Sequence, residues 1–136
     1  MAQSKIICDT DVMIDYLDSS KVRYPATKII VNEKIGIRNV ILSAVTKMEL
    51  IAGVRNNREL NSLSLNIKGL QLLLINPEIS RVAIDLFEIY KLSHNLALAD
   101  SIIAATAIVT EIPLFTYNLK DFKFIRELEL YQPATF

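Results

Sequence analysis

The sequence has one cysteine, Cys8, and one histidine, His94, in 136 residues. A single thiol builds neither a disulfide framework within the chain nor a cysteine-rich zinc site. A Ser/His triad would have to use His94, which reads instead as a surface or capping residue. Tryptophan is absent, and there are only 3 Gly and 4 Pro. No Gly/Ser linker, charge block or internal repeat divides the chain. Net charge is missing too, because 15 Lys and Arg offset 15 Asp and Glu. That excludes a nucleic-acid binder held mainly by bulk positive charge, but not an RNA partner met through a local basic rim. No apolar run reaches the roughly 18 residues of a membrane span. The polar start, Met1 to Ser4, is not a signal peptide. These absences predict a single domain over residues 1–136, away from membranes and in a reducing cytoplasm, with Cys8 a small buried hydrophobe.

Hydrophobic residues make up 51% of the chain, enough for a true core. Four short apolar runs read as buried strands: Ile6-Ile7-Cys8, Val40-Ile41-Leu42, Leu72-Leu73-Leu74-Ile75 and Leu114-Phe115. A weaker fifth lies at 128–131. Helical spacing fills 11–18, 22–35, 44–55, 57–68, 78–92 and 96–110. Pro77 suits a first helical turn, and Pro113 stops the last helix before the fourth strand. Strands alternating with helices predict a parallel sheet covered on both faces. Ligands of such sheets bind beyond the carboxyl ends of the strands.

Acids stand at those ends. Asp9 follows the first strand, within Cys8-Asp9-Thr10-Asp11. An acid there either caps a helix or does chemistry. Asp11 is open between the same two roles, and Asp15 and Asp18 read as a solvated helix face. After the second strand comes Ser43-Ala44-Val45-Thr46-Lys47-Met48-Glu49-Leu50. Thr46 and Glu49 have capping-box spacing, but Ser43 is the better-placed cap. Glu49 then falls in the second turn, has no basic helical neighbour, and points to something non-local. Asp100 is the only charge between Leu96 and Val109. A helix apolar all round is buried, and a lone ionised carboxylate there costs several kcal/mol unless paired or metal-bound. The fourth strand runs into Thr116-Tyr117-Asn118-Leu119-Lys120-Asp121-Phe122, where Asn118 is a candidate cap and Asp121 another carboxylate.

Two carboxylates about 4 Å apart repel by roughly 4 kcal/mol at an effective dielectric of 20. A cluster of them needs protons or cations. All-oxygen ligands without Cys or convergent His suit Mg²⁺ or Mn²⁺. A metal-acidified water oriented by a carboxylate is the means by which such sites attack phosphodiesters.

The four segments 6–15, 43–50, 98–107 and 115–122 resemble those of PIN-domain ribonucleases, and most closely the VapC-type toxins of toxin–antitoxin pairs. The resemblance implies an α/β fold, a three-layer α/β/α PIN-like domain with a central parallel sheet of four or five strands. It implies an Mg²⁺- or Mn²⁺-dependent endoribonuclease, with Asp9, Glu49, Asp100 and either Asn118 or Asp121 at the site. Asp9 and Asp100 are then the expected metal ligands, Glu49 a ligand or water-orienting base, and Asp121 the outer acid. Thr10, Thr46 and Asn118 are supporting residues. The implied partners are an RNA substrate, a cognate antitoxin that inserts near the acids, and a second copy in a homodimer. Many relatives carry a glycine shortly before the Asp100 segment, where this chain has Ser93-His94-Asn95. Lys47, Arg55, Lys120 and Lys123 are the expected RNA-phosphate contacts, and Tyr117 is either a base-stacking ring or a half-buried one.

Two rivals fit some of the same residues. A haloacid-dehalogenase-like phosphatase would use Asp9 as nucleophile and Asp11 as acid/base. It would also want a lysine after a middle strand and paired late acids. An idle PIN-fold RNA-binding or scaffold module would leave all the acids without a reaction.

Overall fold

The computed structural model describes residues 4–133, so the outermost residues of the polar N-terminal stretch lie outside the described part. Four parallel strands, β1 (Ile6–Cys8), β2 (Val40–Ser43), β3 (Gln71–Leu73) and β4 (Leu114–Phe115), form one sheet in the order β3-β2-β1-β4. Side chains alternate across it. Ile7, Ile41 and Leu114 face a core closed by α5 (Pro77–His94), α6 (Leu98–Thr110) and the segment carrying Phe122, Ile125 and Leu128. Ile6, Cys8, Val40, Leu42 and Phe115 face a second core with Val12, Met13 and Tyr16 of α1 (Thr10–Leu17), together with Ile30, Val31 and Ile35. The three-layer expectation is met.

Several expected elements change shape. The stretch read as one helix over 22–35 is α2 (Tyr24–Ile29) followed by a π-helical turn, Ile30–Ile35. Gly36 ends that turn at φ 88°, a backbone that an L side chain resists. The third strand is not buried. It forms the sheet edge, and Leu74, just beyond it, is 70% exposed. The fifth strand reduces to one parallel bridge, Leu114 to Leu130. The remaining helices, α3 (Ala44–Ala52) and α4 (Asn57–Ile67), end within a few residues of expectation.

Asn95 closes α5 in the left-handed conformation, at φ 54°. Asn is one of the few non-glycine residues that visit this region readily, so the Ser93-His94-Asn95 stretch ends the helix without a glycine. Glu111 closes α6 at φ 55° without that advantage. Glu111→Gly is therefore expected to stabilise the chain by about 1 kcal/mol, read as a higher midpoint in thermal or urea unfolding. An unchanged or lower midpoint would show that the strain is absent.

Candidate active site

Strand register assembles the site. Because Cys8 pairs with Phe115, the next residues, Asp9 and Thr116, leave the sheet side by side. Because Ile7 pairs with Ile41, Ser43 stands level with Asp9 on the other flank. Three chain segments thus reach the same edge.

Asp9 is only 4% exposed. It caps α1 by accepting from the Thr10 amide at 2.8 Å, and its other oxygen accepts from Thr116 Oγ1 at 2.8 Å. Capping and chemistry are not alternatives here, since the cap bond fixes the carboxylate. Burial pushes this carboxyl up to about 7, the charges of Asp11 and Asp100 add to the rise, and the two hydrogen bonds oppose it. Asp11 is tied down by the amides of Val12 (2.7 Å) and Tyr117 (3.0 Å). Its carboxyl is also raised by burial, with Asp15 adding and the bonds to Val12, Tyr117 and Asp9 opposing. Asp11 therefore belongs to the cluster.

Ser43 caps α3, accepting from the Thr46 amide at 3.0 Å, which puts Glu49 in the second turn. Glu49 is exposed and bonds non-locally, as expected. Thr10 Oγ1 lies 2.6 Å from Glu49 Oε1 and 3.0 Å from Thr46 Oγ1. Thr10 has one hydroxyl proton and the Glu49 carboxylate only accepts, so Thr10 donates to Glu49 and takes a bond from Thr46. Through these bonds both threonines touch the Glu49 side of the acid cluster.

Asp100 lies in the first turn of α6. The expectation of a turn buried all round is corrected: Leu98 is 66% exposed and Asp100 is half-buried. The helix opens to solvent there, and its fully buried face begins at Ser101 and Ile103. Asp100 accepts no hydrogen bond from any described residue. Burial pushes its carboxyl up to about 6, with Asp121, Glu49 and Asp11 adding in that order. Asp9, Glu49, Asp100 and Asp121 are thus one electrostatic neighbourhood.

Asn118 precedes the short 3₁₀ turn Leu119–Asp121, but its side chain makes no cap bond and is exposed, against expectation. Its backbone amide instead donates to Thr116 Oγ1 at 3.0 Å. The polar support that sequence reading passed over is Thr116, buried between Asp9 and that amide. Its position directly after a strand paired to β1 was the available signal. Thr116→Val keeps the shape and removes the donor to Asp9. It is expected to leave the fold intact and weaken Mn²⁺ binding about tenfold, measured by titration calorimetry. Equal affinity would remove Thr116 from the site.

Among the described residues, no three acid, histidine or cysteine side chains close around one point tightly enough to enclose an ion. The donor set still fits a hard divalent cation. Magnesium is commonly held by one or two carboxylates, retaining waters and meeting a phosphate. Asp9 and Asp100 offer that number, and burial together with the neighbouring carboxylates raises both carboxyls.

The expected basic contacts separate. Arg55 is engaged by Glu59, with Nη2–Oε2 at 2.8 Å and Nε–Oε2 at 3.2 Å. Lys47 lines a small hollow with Ser64 and Lys68 that none of the acids borders. Lys120 and Lys123 are exposed near Asp121. Asp15 is only partly solvated: its side chain is 13% exposed and faces Arg23 at 3.6 Å. Asp18, as expected, is surface, bonded to Ser20. His94 is also surface, stacked on Phe124. Tyr117 is half-buried, one face covered by Arg23 and its hydroxyl bonded to Thr27 at 2.6 Å, so base stacking on that face is closed.

A family model described as "PIN domain" matches residues 6–127. The chain belongs to the PIN-domain family. This PIN domain is 30% identical over 125 residues to the ribonuclease VapC19 of Mycobacterium tuberculosis, covering 90% of this chain and 96% of the relative. It is 29% identical over 132 residues to the ribonuclease VapC1 of Methanocaldococcus jannaschii, covering 94% and 86%. Among solved structures, a toxin–antitoxin complex from Klebsiella pneumoniae superposes with a TM-score of 0.75 at 25% identity, covering 97% of this chain and all of that one. A DNA-bound VapBC structure from Salmonella typhimurium gives 0.76 at 19% identity, covering 95% and 98%, a likeness of fold. The phosphatase rival loses its footing here. Lys47, the lysine following β2, turns to another hollow, and no second acid flanks Asp100 on α6.

Proposed function

We propose that this PIN domain, one unit over residues 1–136, is an Mg²⁺- or Mn²⁺-dependent endoribonuclease and the toxin of a toxin–antitoxin pair. The carrying observation is that Asp9, Glu49, Asp100 and Asp121, from four separate segments, meet at the carboxyl edge of the sheet, close enough for their charges to raise one another's carboxyls. The ribonuclease names of two relatives that align along most of their length support the same reading.

Asp9 and Asp100 would hold the metal ion, which when bound supplies positive charge beside a phosphate and a more acidic water. Thr10 aims the Glu49 carboxylate into the site, where Glu49 orients a water and takes its proton. Asp9 is fixed by Thr116 and the Thr10 amide, so it needs no reorganisation on binding. Asp121, beside Asp100, is the outer acid, and Asn118 a peripheral amide. Lys120 and Lys123, and at longer range Lys47 and Arg55, are proposed phosphate contacts. The proposed setting is the cytoplasm; among the described residues no helix is long and apolar enough to cross a membrane.

The proposed antitoxin segment would use a groove of ≈ 540 Å³ lined by Ile14, Leu17, Glu49, Leu50 and Leu63. The homodimer is proposed on the apolar α5–α6 face, where Ile84 and Leu98 are exposed; sedimentation of the purified chain tests it. The deciding experiment incubates the chain with total RNA and random-sequence single-stranded RNA in Mg²⁺, Mn²⁺ or chelator. Metal-dependent internal cleavage, abolished by Asp9→Asn, is expected. Cleavage that persists in chelator or in Asp9→Asn would reject this site.

A further inference from the structure

The sheet edge gathers Asp9, Asp11, Glu49, Asp100 and Asp121, yet the polymer it is proposed to cut is itself a polyanion. Something cationic must hold the strand close, and charge near the site is not enough if another acid already occupies it. Arg55 fails on this count, because Glu59 takes its Nε and Nη2 together. Arg23, at the end of the loop between α1 and α2, is held far more loosely. Its one ion pair is a single 3.6 Å approach to Asp15, and its side chain is 57% exposed. Its guanidinium carbon stands 4.4 Å from the centre of the Tyr117 ring.

That ring links Arg23 to the acids. The Tyr117 amide donates to Asp11 at 3.0 Å, and the Tyr117 hydroxyl is fixed by Thr27 at 2.6 Å. Arg23 therefore rests on a platform bolted to the cluster at one end and to α2 at the other. A guanidinium held over a ring still has N–H groups to offer a ligand. A planar fork of donors suits two phosphate oxygens at once.

We propose that Arg23 is a phosphate clamp: it grips a backbone phosphate of the RNA strand beside the acid cluster, and Asp15 is the internal carboxylate that the phosphate displaces. Arg23 contacts substrate without taking part in the chemistry. The assignment rests on the ribonuclease reading and adds a residue outside the four acid segments.

Arg23→Gln and Asp15→Asn test it together, on random-sequence single-stranded RNA in Mn²⁺. Arg23→Gln is expected to raise KM roughly tenfold with kcat within about twofold. In the cleavage-silenced Asp100→Asn background, followed by fluorescence anisotropy, it should flatten the slope of log affinity against log salt by about 0.7, the loss of one single-strand phosphate contact. Asp15→Asn should move KM the other way, about twofold down, by removing the competitor. A purely structural ion pair would push both variants in the same direction, and that result overturns the proposal. So does an unchanged KM and salt slope in Arg23→Gln. If Arg23→Gln does not fold, Asp15→Asn decides alone: an unchanged or raised KM overturns the clamp. If the unmodified chain neither binds nor cuts RNA, the ribonuclease reading falls and the clamp with it; if it cuts and only the two variants fail, the clamp alone is lost.

Discussion

Asp100→Asn is expected to give a folded protein that has lost cleavage by more than about a hundredfold, the upper end of what losing an outer-sphere partner alone costs a metal site. It should also be slightly more stable than its parent at neutral pH. The Asp100 carboxyl is pushed from 3.8 up to about 6 by burial and by Asp121, Glu49 and Asp11, so its ionised form is under strain in the native state. An amide there removes the repulsion. Asp100 is only half-buried and solvent screens part of the effect, so the gain is about 1 kcal/mol. Loss of activity with a lower melting point would point to damage rather than to a missing ligand. Full activity in a folded Asp100→Asn chain would end the proposed assignment.

The second large effect is on stability against pH. In chelator, the chain is expected to melt at a lower temperature at pH 7.5 than at pH 5. Asp9 and Asp100 titrate near 3.8 when unfolded, but at about 7 and about 6 when folded. Between those limits the native state binds more protons than the unfolded one, so stability falls as pH climbs from about 4 to about 7. Below that window both residues are protonated in either state, and the penalty vanishes. The two carboxyls interact and Asp100 is partly wet, so their combined effect is on the order of 2–4 kcal/mol. Asp18 and Glu59, both lowered by hydrogen bonds, act with the opposite sign: their stabilisation is present above the ordinary carboxylate range and is lost at more acidic pH. Mn²⁺ at pH 7.5 should restore the lost stability, and Asp9→Asn should flatten the profile. A higher melting temperature at pH 7.5 than at pH 5 without metal would contradict the strained cluster.

The sequence made the layer order and the positions of the main acids legible because both follow from local signals. An apolar run that ends in Asp9, and Ser43 directly after β2, mark strand ends wherever the strands go. What stayed hidden depended on neighbours distant in sequence. Whether Leu72 and Leu73 are inside or at an edge depends on the sheet ending at β3. Thr116 supports the site only because β4 lies beside β1. Leu98 is apolar yet exposed, so reading Asp100 as fully enclosed overstated its burial. Asp15 shares a helix face with Asp11, but only the return of α2 sets Arg23 against it.

Cys8 lies in an inner strand, has no exposed surface, and carries a thiol that burial and the adjacent carboxylates of Asp9 and Asp11 keep protonated. An alkylating reagent reaches it only after β1 has come away from its neighbours. The chain therefore contains its own clock for rare opening events, one residue from the proposed metal ligand. Any ion that knits the acid edge together should make that clock run slow.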